Sequence, residues 1–397
     1  MVATLSSYTG HNNAASPGAG FDGVVRVSAG VMYGSGVLLN GGRAVLTVAH
    51  LLYGATPSDI TVYFETSDGL HAAGAAGIEL FPDYDTVNSN GDLALVLLSE
   101  PALLSADRYG LYRDDDAVSQ RFTMVGYGLP GTGETGADHS YAGNYLRLKA
   151  ENRFDADAST LKEALQDNPA WNPLADSLLV ADFDNGESVY DALGYLLGIA
   201  ETGNDSEGMI TPGDSGSPAF IADRVAGIAS YIGIYHDKDY DGVPLNSSIG
   251  ELGFWQRVGY YQEWIDKSLR ESYQGAPVSR DEVEQSVTEG DEGTEYVYFL
   301  LEFTGERADP DEWVSVDYVT RDGTAVAGED YLHQSGTAVL YPDESHAVIP
   351  VEIIGDTVPE TSEYFSLVAY NPVGGSFGDG ITELTALRTI IDNDAYI

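Results

Sequence analysis

The stretch TPGDSGSP, residues 211–218, contains a serine in a turn that suits an exposed nucleophile. Gly213 and Gly216 flank Ser215 closely and let the backbone turn tightly, because glycine has no Cβ. Amide N–H groups in such a turn can point at one position beside Ser215 Oγ. The apolar stretch VAGIASY at 225–231 follows and predicts a strand. The turn is therefore the first candidate for a catalytic position.

Two upstream stretches supply candidates for a base and for the group that orients it. A serine hydroxyl needs a neutral histidine to take its proton, and that histidine needs a buried carboxylate. Residues 34–50, GSGVLLNGGRAVLTVAH, predict a β-hairpin with His50 at the end of its second strand. Residues 89–98, SNGDLALVLL, place Asp92 before another apolar strand. The chain order is thus His50, Asp92, Ser215.

At these three places the sequence resembles the chymotrypsin-like (trypsin-like) serine endopeptidases, whose motifs have the same order. The matching segments are TVAH at His50, GDLAL at Asp92 and GDSGSP at Ser215. The resemblance implies a domain of two antiparallel β-barrels, which we expect at residues 21–269. It also implies an acyl-enzyme mechanism that needs no cofactor for the chemical step, with an oxyanion hole made by the Gly213 and Ser215 amides.

The pattern along the N-terminal part agrees with an all-β domain. Short apolar runs separated by Gly, Asn and Asp between residues 21 and 98 predict an antiparallel barrel, and FTMVGYG at 122–128 predicts the first strand of a second one. Residues 1–20 predict a flexible N-terminal segment without the features of a secretory signal. The family's activation step pairs a new N-terminus with the aspartate before the serine, here Asp214. No IVGG-like sequence precedes residues 24–30, so another donor could hold Asp214.

A long insertion relative to compact members of the family falls at about 129–208. It contains TLKEALQ, in which Thr160 and Glu163 predict a capping box for a short helix. Two interpretations stay open: the insertion decorates the surface, or parts of it form a wall of the substrate cleft.

The resemblance also indicates where the specificity pocket lies. The pocket floor falls on Met209, and the wall falls on Ser230, Tyr231 and Ile232, although a gap of one residue would move Gly233 into the last place. A methionine floor offers no carboxylate to Arg or Lys. We therefore expect a small or medium apolar residue before the scissile bond.

Composition limits the partners of the 397-residue chain. It has 63 Asp and Glu residues against 18 Lys and Arg, which gives a net charge of −45. Such a surface repels nucleic acid and anionic lipid and suits calcium or a saline medium. No apolar run is long enough to span a membrane. Cysteine is absent, which excludes disulfides and agrees better with secreted bacterial proteases than with animal members of the family.

One acidic stretch begins like a calcium loop. HDKDYDG at 236–242 presents Asp237, Asp239 and Asp241 at alternate positions before a glycine. The twelfth position of an EF-hand loop is a bidentate glutamate, but here it is Ser248. A solvated acidic turn is the competing interpretation.

The chain changes character after a short helix at 260–269, on which Tyr260 and Trp264 are expected to pack, and a polar linker at 270–279. Residues 280–397 show strand patterns such as YVYFLLEF, WVSVDYVT and AVIPVEII, separated by acidic turns. The turns VTEGDEG, RDGTAVAGEDY, IIGDTVPETSEYF and IIDNDA resemble, in that order, those of the Calx-β domain. This resemblance implies an immunoglobulin-like β-sandwich.

In calcium-binding Calx-β domains, acidic residues from these turns converge at one end of the sandwich. A hard cation needs six to eight oxygen ligands, and clustered carboxylates repel one another without one. A position that is acidic in those domains is Gly355 here, and Asp330 is expected to cap a turn rather than bind metal. The alternative is a structural spacer with solvated acids. The resemblance places the ligands at Glu289, Asp322, Asp356, Glu360, Glu363, Asp392 and Asp394.

The sequence therefore predicts an extracellular serine endopeptidase that acts on proteins or peptides and carries a calcium-binding Calx-β module. The competing hypothesis is a calcium-dependent adhesion or matrix protein that uses an inactive protease scaffold. An esterase with the same triad is a weaker possibility, because the serine motif is not the α/β-hydrolase elbow.

Overall fold

The computed structural model describes residues 2–5, 13–166, 171–199, 206–235, 238–307 and 309–394. The chain divides into two units, one made of residues 1–39 and 43–264 and the other of residues 40–42 and 265–397. Each unit has its own set of sheets.

The first half of the first unit is a closed antiparallel barrel with strand order β2-β3-β4-β7-β6-β5. Alternate residues of β5 are buried, as expected for a strand with one face toward a core. The predicted hairpin is present, since Val37 of β3 lies opposite Leu46 of β4. A one-turn helix, α1, follows at Ala49–Leu52. The barrel strands are β2 Val24–Ala29, β3 Met32–Leu38, β4 Ala44–Thr47, β5 Ile60–Thr66, β6 Gly69–Leu80 and β7 Ala94–Leu98.

The second half contains a seven-stranded antiparallel sheet of order β11-β8-β15-β16-β17-β13-β12, and a small four-stranded sheet of order β10-β9-β1-β14. The strand before the nucleophile turn, β14, pairs with β1, and the insertion strand β13 takes the place beside β17. The second half is thus built from barrel-like sheets to which the insertion contributes β11, β12 and β13. Its strands are β8 Arg121–Gly126, β11 Leu148–Arg153, β12 Ala156–Asp157, β13 Leu178–Asp182, β15 Pro218–Ile221, β16 Arg224–Ile234 and β17 Glu251–Arg257. The small sheet comprises β1 Val2–Thr4, β9 Gly131–Thr132, β10 Gly136–Ala137 and β14 Gly208–Ile210.

The helices differ in detail from the sequence-based expectations. Helix α2 is Ala158–Ala164, and its N-cap is Asp157, whose carboxylate accepts from Thr160 N at 2.7 Å. The expected capping box on Thr160 is therefore wrong, because an aspartate three residues earlier takes that role. The other helices are α3 Ala192–Leu197 and α4 Val258–Ser272, with short 3₁₀ turns at Pro57–Asp59, His139–Tyr141 and Arg280–Glu282.

Helix α4 begins before the predicted helix and ends after it. Tyr261 is buried at 2% exposure and packs edge-on against Phe81, which Trp264 also contacts. Tyr260, which we expected on the packing face, is 46% exposed. The helix therefore packs through Tyr261 and Trp264, rather than through Tyr260 and Trp264 as expected.

The second unit is a β-sandwich with a five-stranded sheet, β18-β24-β23-β20-β21, and a two-stranded sheet, β19-β22. Its core includes the buried rings of Phe299, Tyr331 and Phe365. Residue pairs Thr288↔Ile391, Asp322↔Phe365 and Glu363↔Ile390 show that the acidic turns leave the larger sheet at one end. The strands are β18 Ser286–Thr288, β19 Thr294–Glu302, β20 Val314–Asp322, β21 Ser335–Leu340, β22 His346–Ile354, β23 Glu363–Val373 and β24 Glu383–Ile391.

Candidate active site

His50 and Asp92 form a hydrogen-bonded pair at the start of α1. The Nδ1 atom of His50 lies 2.7 Å from Asp92 Oδ2, and the backbone N–H of His50 donates to Asp92 Oδ1 at 2.8 Å. The Asp92 side chain is 1% exposed and that of His50 is 38% exposed. Because a carboxylate only accepts, the pair fixes the proton on Nδ1 and leaves Nε2 to act as the base.

A second hydroxyl also holds the Asp92 carboxylate. Ser230 Oγ donates to Asp92 Oδ2 at 2.5 Å, and the fully buried Gln256 donates from Nε2 to Ser230 Oγ at 3.3 Å. We expected Ser230 in the pocket wall, and in the structure its hydroxyl donates to the carboxylate that orients His50. Nothing in the local sequence singles out Gln256, since its role depends on β16 and β17 lying side by side.

The Ser215 turn packs against the hairpin that leads to His50. Ser35 N donates to the carbonyl of Ser215 at 2.7 Å, and Gly216 N donates to Ala229 O at 2.8 Å. A Cβ on Gly34 would lie 2.6 Å from the Ser215 carbonyl and 2.8 Å from Leu51 of α1. The absence of that side chain lets the serine turn approach the helix that carries the base.

Among the residues that the structure describes, no hydrogen bond joins Ser215 Oγ to His50, whereas His50 and Asp92 are joined directly. Hydrogen bonds of catalytic groups are often long before a substrate is bound and tighten in the complex. The structure therefore brings base and orienter together and positions the nucleophile turn beside them.

Two glycines of the nucleophile turn adopt conformations that other residues rarely adopt. Gly213 has φ +99° and Gly216 has φ +87°, and a Cβ on Gly216 would lie 2.1 Å from the carbonyl oxygen of Ser35. Within the described part of the chain, the Gly213 and Ser215 amides donate to no acceptor. Both N–H groups are thus available for an oxyanion.

The neighbouring Asp214 is fully buried and hydrogen-bonded. Its carboxylate accepts from Thr211 N at 2.9 Å, from Thr211 Oγ1 at 3.1 Å and from Gly128 N at 2.8 Å. Burial raises the pKa of Asp214, and the backbone hydrogen bonds oppose that shift. The Thr211 and Gly128 donors therefore contribute to holding this carboxylate.

The residues assigned to the specificity pocket are mostly occupied with packing. Met209 is fully buried on β14. A Cβ on Gly253 would lie 3.0 Å from the Met209 Sδ atom and 2.5 Å from the Trp255 ring. The Tyr231 ring stacks on Phe254 at 4.5 Å between centroids. The remaining wall residue, Ile232, is half-buried against the core. The space below Gly253 is thus filled by a thioether and an indole.

The acidic loop near 240 is held by its own hydrogen bonds. Asp241 accepts from Val243 N and from Asn246 Nδ2, both at 2.8 Å, and Ser248 Oγ donates to Asp239 at 3.2 Å. Asp237 lies outside the described residues. No grouping of metal-ligand type includes Asp239 or Asp241 within the described chain. The observed contacts agree with the acidic-turn interpretation.

A buried carboxylate, that of Glu251, lies at the end of this loop. Glu251 is 0% exposed and accepts from Asn246 N at 3.1 Å and from Ser247 N at 2.7 Å. Burial raises its pKa to about 7.

Asp182, Asp184 and Asp191 also approach one another within 4.8 Å in the insertion, which the sequence did not predict. Asp191 caps α3 at Gly194 N, and Asp182 Oδ2 accepts from Leu193 N at 2.8 Å. Asp182 and Asp191 thus serve the backbone of that helix, whereas Asp184 accepts from Gly186 N at 2.6 Å through Oδ1.

In the second unit, two groups of carboxylates form at the acidic end of the sandwich. Glu289, Asp392 and Asp394 approach within 4.8 Å of one another. Glu289 is 5% exposed, and its Oε1 is buried without a hydrogen-bond partner in the structure. Burial, followed by Asp392, raises the pKa of Glu289 to about 7. A cation with oxygen ligands would satisfy this arrangement.

Asp330, Glu360 and Glu363 form the second group. Burial raises the pKa of Glu363, and Asp330 raises it further. Asp330 also caps a turn, as expected, by accepting from Val326 N at 2.7 Å. The sequence did not predict that Asp330 lies near Glu360 and Glu363, because the loop brings it to β23 only in the folded domain.

Two of the expected ligands have hydrogen-bonded partners of their own. Asp322 accepts from Tyr331 Oη at 2.5 Å and from Ala327 N at 3.0 Å, and the tyrosine hydroxyl lowers the pKa of Asp322. Asp356 accepts from Val358 N at 2.6 Å. A Cβ on Gly355 would lie 2.5 Å from the Gly290 carbonyl, so the backbone path itself excludes an acidic residue there.

Two known families match parts of the chain. Residues 10–165 match the trypsin family, and residues 278–394 match the Calx-beta domain. The chain therefore carries a trypsin-family domain followed by a Calx-beta domain. The trypsin match contains His50 and Asp92 and ends before Ser215.

Individual relatives cover parts of the chain. Trypsin eta of Drosophila melanogaster is 24% identical over 237 residues, which are 58% of this chain and 74% of that protein. Human sodium/calcium exchanger 2 is 33% identical over 108 residues, which are 24% of this chain, and the match spans only 12% of the exchanger. A scabies mite inactivated protease paralogue, S-D1, aligns with a TM-score of 0.45 at 18% identity over 62% of this chain and 92% of that chain. Mouse neuropsin, a serine protease, gives the same TM-score and identity over 63% and 95%.

Within the described part of the chain, no helix combines the length and the apolar character needed to cross a membrane.

Proposed function

We propose that the chain is a serine endopeptidase in which His50, Asp92 and Ser215 form the catalytic triad. The observation that carries the proposal is the His50–Asp92 pair, with Nδ1 and Oδ2 2.7 Å apart, beside the glycine-flanked turn of Ser215. A buried carboxylate on one imidazole nitrogen and a nucleophile turn with free amides serve acyl transfer, and structural packing requires neither.

In the proposed reaction, Ser215 Oγ attacks the peptide carbonyl carbon while His50 Nε2 takes the hydroxyl proton. The resulting oxyanion accepts hydrogen bonds from the Gly213 and Ser215 amides. The C–N bond then breaks, His50 gives its proton to the leaving amine, and an ester to Ser215 remains. Water, deprotonated by His50, hydrolyses that ester and restores the serine.

The substrate is a protein or peptide with a small or medium apolar residue before the scissile bond. Met209 and Trp255 fill the space below Gly253, which leaves little volume for a large side chain and no carboxylate for Arg or Lys. A peptide library read by mass spectrometry tests this preference, and efficient cleavage after Arg or Lys would contradict it.

The Calx-beta unit is proposed to bind calcium through Glu289, Asp392 and Asp394, and through Asp330, Glu360 and Glu363. The support is the buried, unpartnered Glu289 Oε1 among like charges, which a cation would neutralise. An extracellular, bacterial setting, where calcium is plentiful, stays a prediction from composition.

Labelling by a fluorophosphonate probe tests the proposed enzyme. The folded protein should react, Ser215→Ala should not, and Ser217→Ala, a neighbouring buried serine, should react normally. Labelling that survives in Ser215→Ala would contradict the assignment. The absence of labelling in the folded wild-type chain, with calcium present, would favour the alternative of an adhesion or matrix protein with an inactive scaffold.

A further inference from the structure

Residues 171–174 of the insertion, which we name the clamp segment, bind the loop that carries Asp92. The buried side chain of Asn90 donates from Nδ2 to Asn172 O at 3.1 Å and accepts from Leu174 N at 2.8 Å through Oδ1. Asn172 N also donates to Asn88 Oδ1 at 3.2 Å. One carboxamide thus binds the clamp segment through both of its polar atoms, in the way that a neighbouring strand would.

The other end of the clamp segment reaches the opposite side of the site. Trp171 donates from Nε1 to Tyr231 Oη at 3.0 Å, and its ring packs edge-on against Phe254 at 5.7 Å. Tyr231 itself stacks on Phe254. Tyr231 directly follows Ser230, whose hydroxyl donates to Asp92.

These contacts close a ring around the orienting carboxylate. Asp92 accepts from Ser230, and the next residue, Tyr231, accepts from Trp171. The chain continues from Trp171 to Asn172, whose carbonyl accepts from Asn90. Asn90 precedes Asp92 by two residues, which completes the ring. The ring is further anchored by Lys162 of α2, which donates from Nζ to Asn172 Oδ1 at 2.6 Å. A ring of hydrogen bonds restricts the motion of every residue in it. A segment that only decorated the surface would not need contacts at both of its ends.

We infer that the clamp segment positions Asp92 for catalysis, with Asn90 and Trp171 as positioning residues that act through the Asp92 loop and through Tyr231. The inference rests on the proposed peptidase function. It answers the question that the sequence left open, because this part of the insertion belongs to the site. Small displacements of groups that orient a catalytic base are known to cost large factors in rate.

The test uses the whole chain and the variants Asn90→Ala, Trp171→Phe and Tyr231→Phe. Phe at 171 keeps an aromatic ring but has no N–H, and Phe at 231 keeps the stacking but has no hydroxyl. We expect Asn90→Ala to slow fluorophosphonate labelling by roughly 10- to 100-fold, as a misplaced catalytic group would. The pH midpoint of labelling should also differ from that of the wild-type chain, because a displaced Asp92 no longer orients the His50 ring in the same way. The Trp171→Phe, Tyr231→Phe double variant should label no more slowly than the slower single variant, because both changes remove the same bond.

Hydrogen exchange read by mass spectrometry supplies a measurement that does not depend on activity. Amides of residues 88–93 should exchange faster in Asn90→Ala than in the wild-type chain, while Tyr195→Phe, an exposed change on α3 of the same insertion, should change neither exchange nor labelling. Wild-type exchange at 88–93 in Asn90→Ala would overturn the clamp, as would an unchanged labelling rate and midpoint. If the wild-type chain itself fails to label, the proposed enzyme is refuted, and exchange alone then decides whether the clamp exists.

Discussion

Ser230 Oγ lies 2.5 Å from Asp92 Oδ2, so the carboxylate that orients His50 is held by a hydroxyl from the strand that follows the nucleophile turn. Asp92 thereby accepts from the His50 backbone, from the His50 ring and from Ser230. Because Ser230 lies on β16, beside the Ala229 carbonyl that binds Gly216 N, one strand fixes both the orienter and the turn that carries Ser215.

Removing the Ser230 hydroxyl should therefore lower the rate, because this hydroxyl helps to hold Asp92 in place. A hydrogen bond to a charged group contributes about 1.5–3 kcal/mol, so Ser230→Ala should lower kcat/KM by roughly 10- to 100-fold. Peptide hydrolysis measures the effect, and Ser99→Ala, whose hydroxyl donates to Gly74 O away from the triad, is the matched control. A Ser230→Ala enzyme as fast as the control would show that this bond does not hold Asp92 in its working position.

Gly216 should tolerate no side chain. At φ +87°, an alanine Cβ would lie 2.1 Å from Ser35 O and 2.3 Å from Thr47 Oγ1, so Gly216→Ala must displace the turn. Activity should be lost, and the melting temperature should fall. Gly54→Ala, at φ +82° with no atom near the new Cβ, separates the conformational cost from the steric clash. Equal effects of the two changes would mean that the clash has no role.

Shortening Met209 should broaden the substrate range at the expense of stability. Met209→Ala removes a fully buried side chain and should destabilise the unit by about 2–5 kcal/mol. The space opened below Gly253 should admit larger apolar residues before the scissile bond. Cleavage profiles of a peptide library measure the shift, and an unchanged profile in a folded variant would remove Met209 from the pocket floor.

The buried Glu251 should make stability depend on pH. Burial raises its pKa from an ordinary 4.5 to about 7, so the folded chain binds more protons than the unfolded chain between these values. This group therefore favours folding less as pH rises from about 4.5 to 7, while Gln at this position does not titrate. The melting temperature of wild type relative to Glu251→Gln should fall across that range. A pH-independent difference would contradict the shift.

Calcium should stabilise the Calx-beta unit through Glu289. A ligand that binds only the folded state raises the melting temperature with its concentration, and chelation should reverse the rise. Glu289→Gln should reduce this response, while Glu312→Gln, an exposed acid outside both carboxylate groups, should retain it. An equal calcium response in the two variants would place the cation elsewhere.

The sequence by itself determined the strands, the hairpin and the three catalytic candidates, because these depend on local alternation, glycine-bearing turns and short motifs. It also determined the acidic turns of the C-terminal unit. It did not determine which acidic side chains lie close together in the folded domain. Asp330 lies near Glu360 and Glu363, while Asp322 accepts a hydrogen bond from Tyr331.

Only the tertiary structure decided what surrounds the triad. Ser230, Gln256, Asn90 and Trp171 carry no motif, and they meet Asp92 or its neighbours because β16, β17 and the clamp segment lie side by side. Hydrogen bonds between residues 82 or 138 positions apart depend on the path of the whole chain, and local residue preferences do not encode them. The candidate catalytic residues are thus evident in the sequence, whereas the positioning of their side chains is a property of the fold.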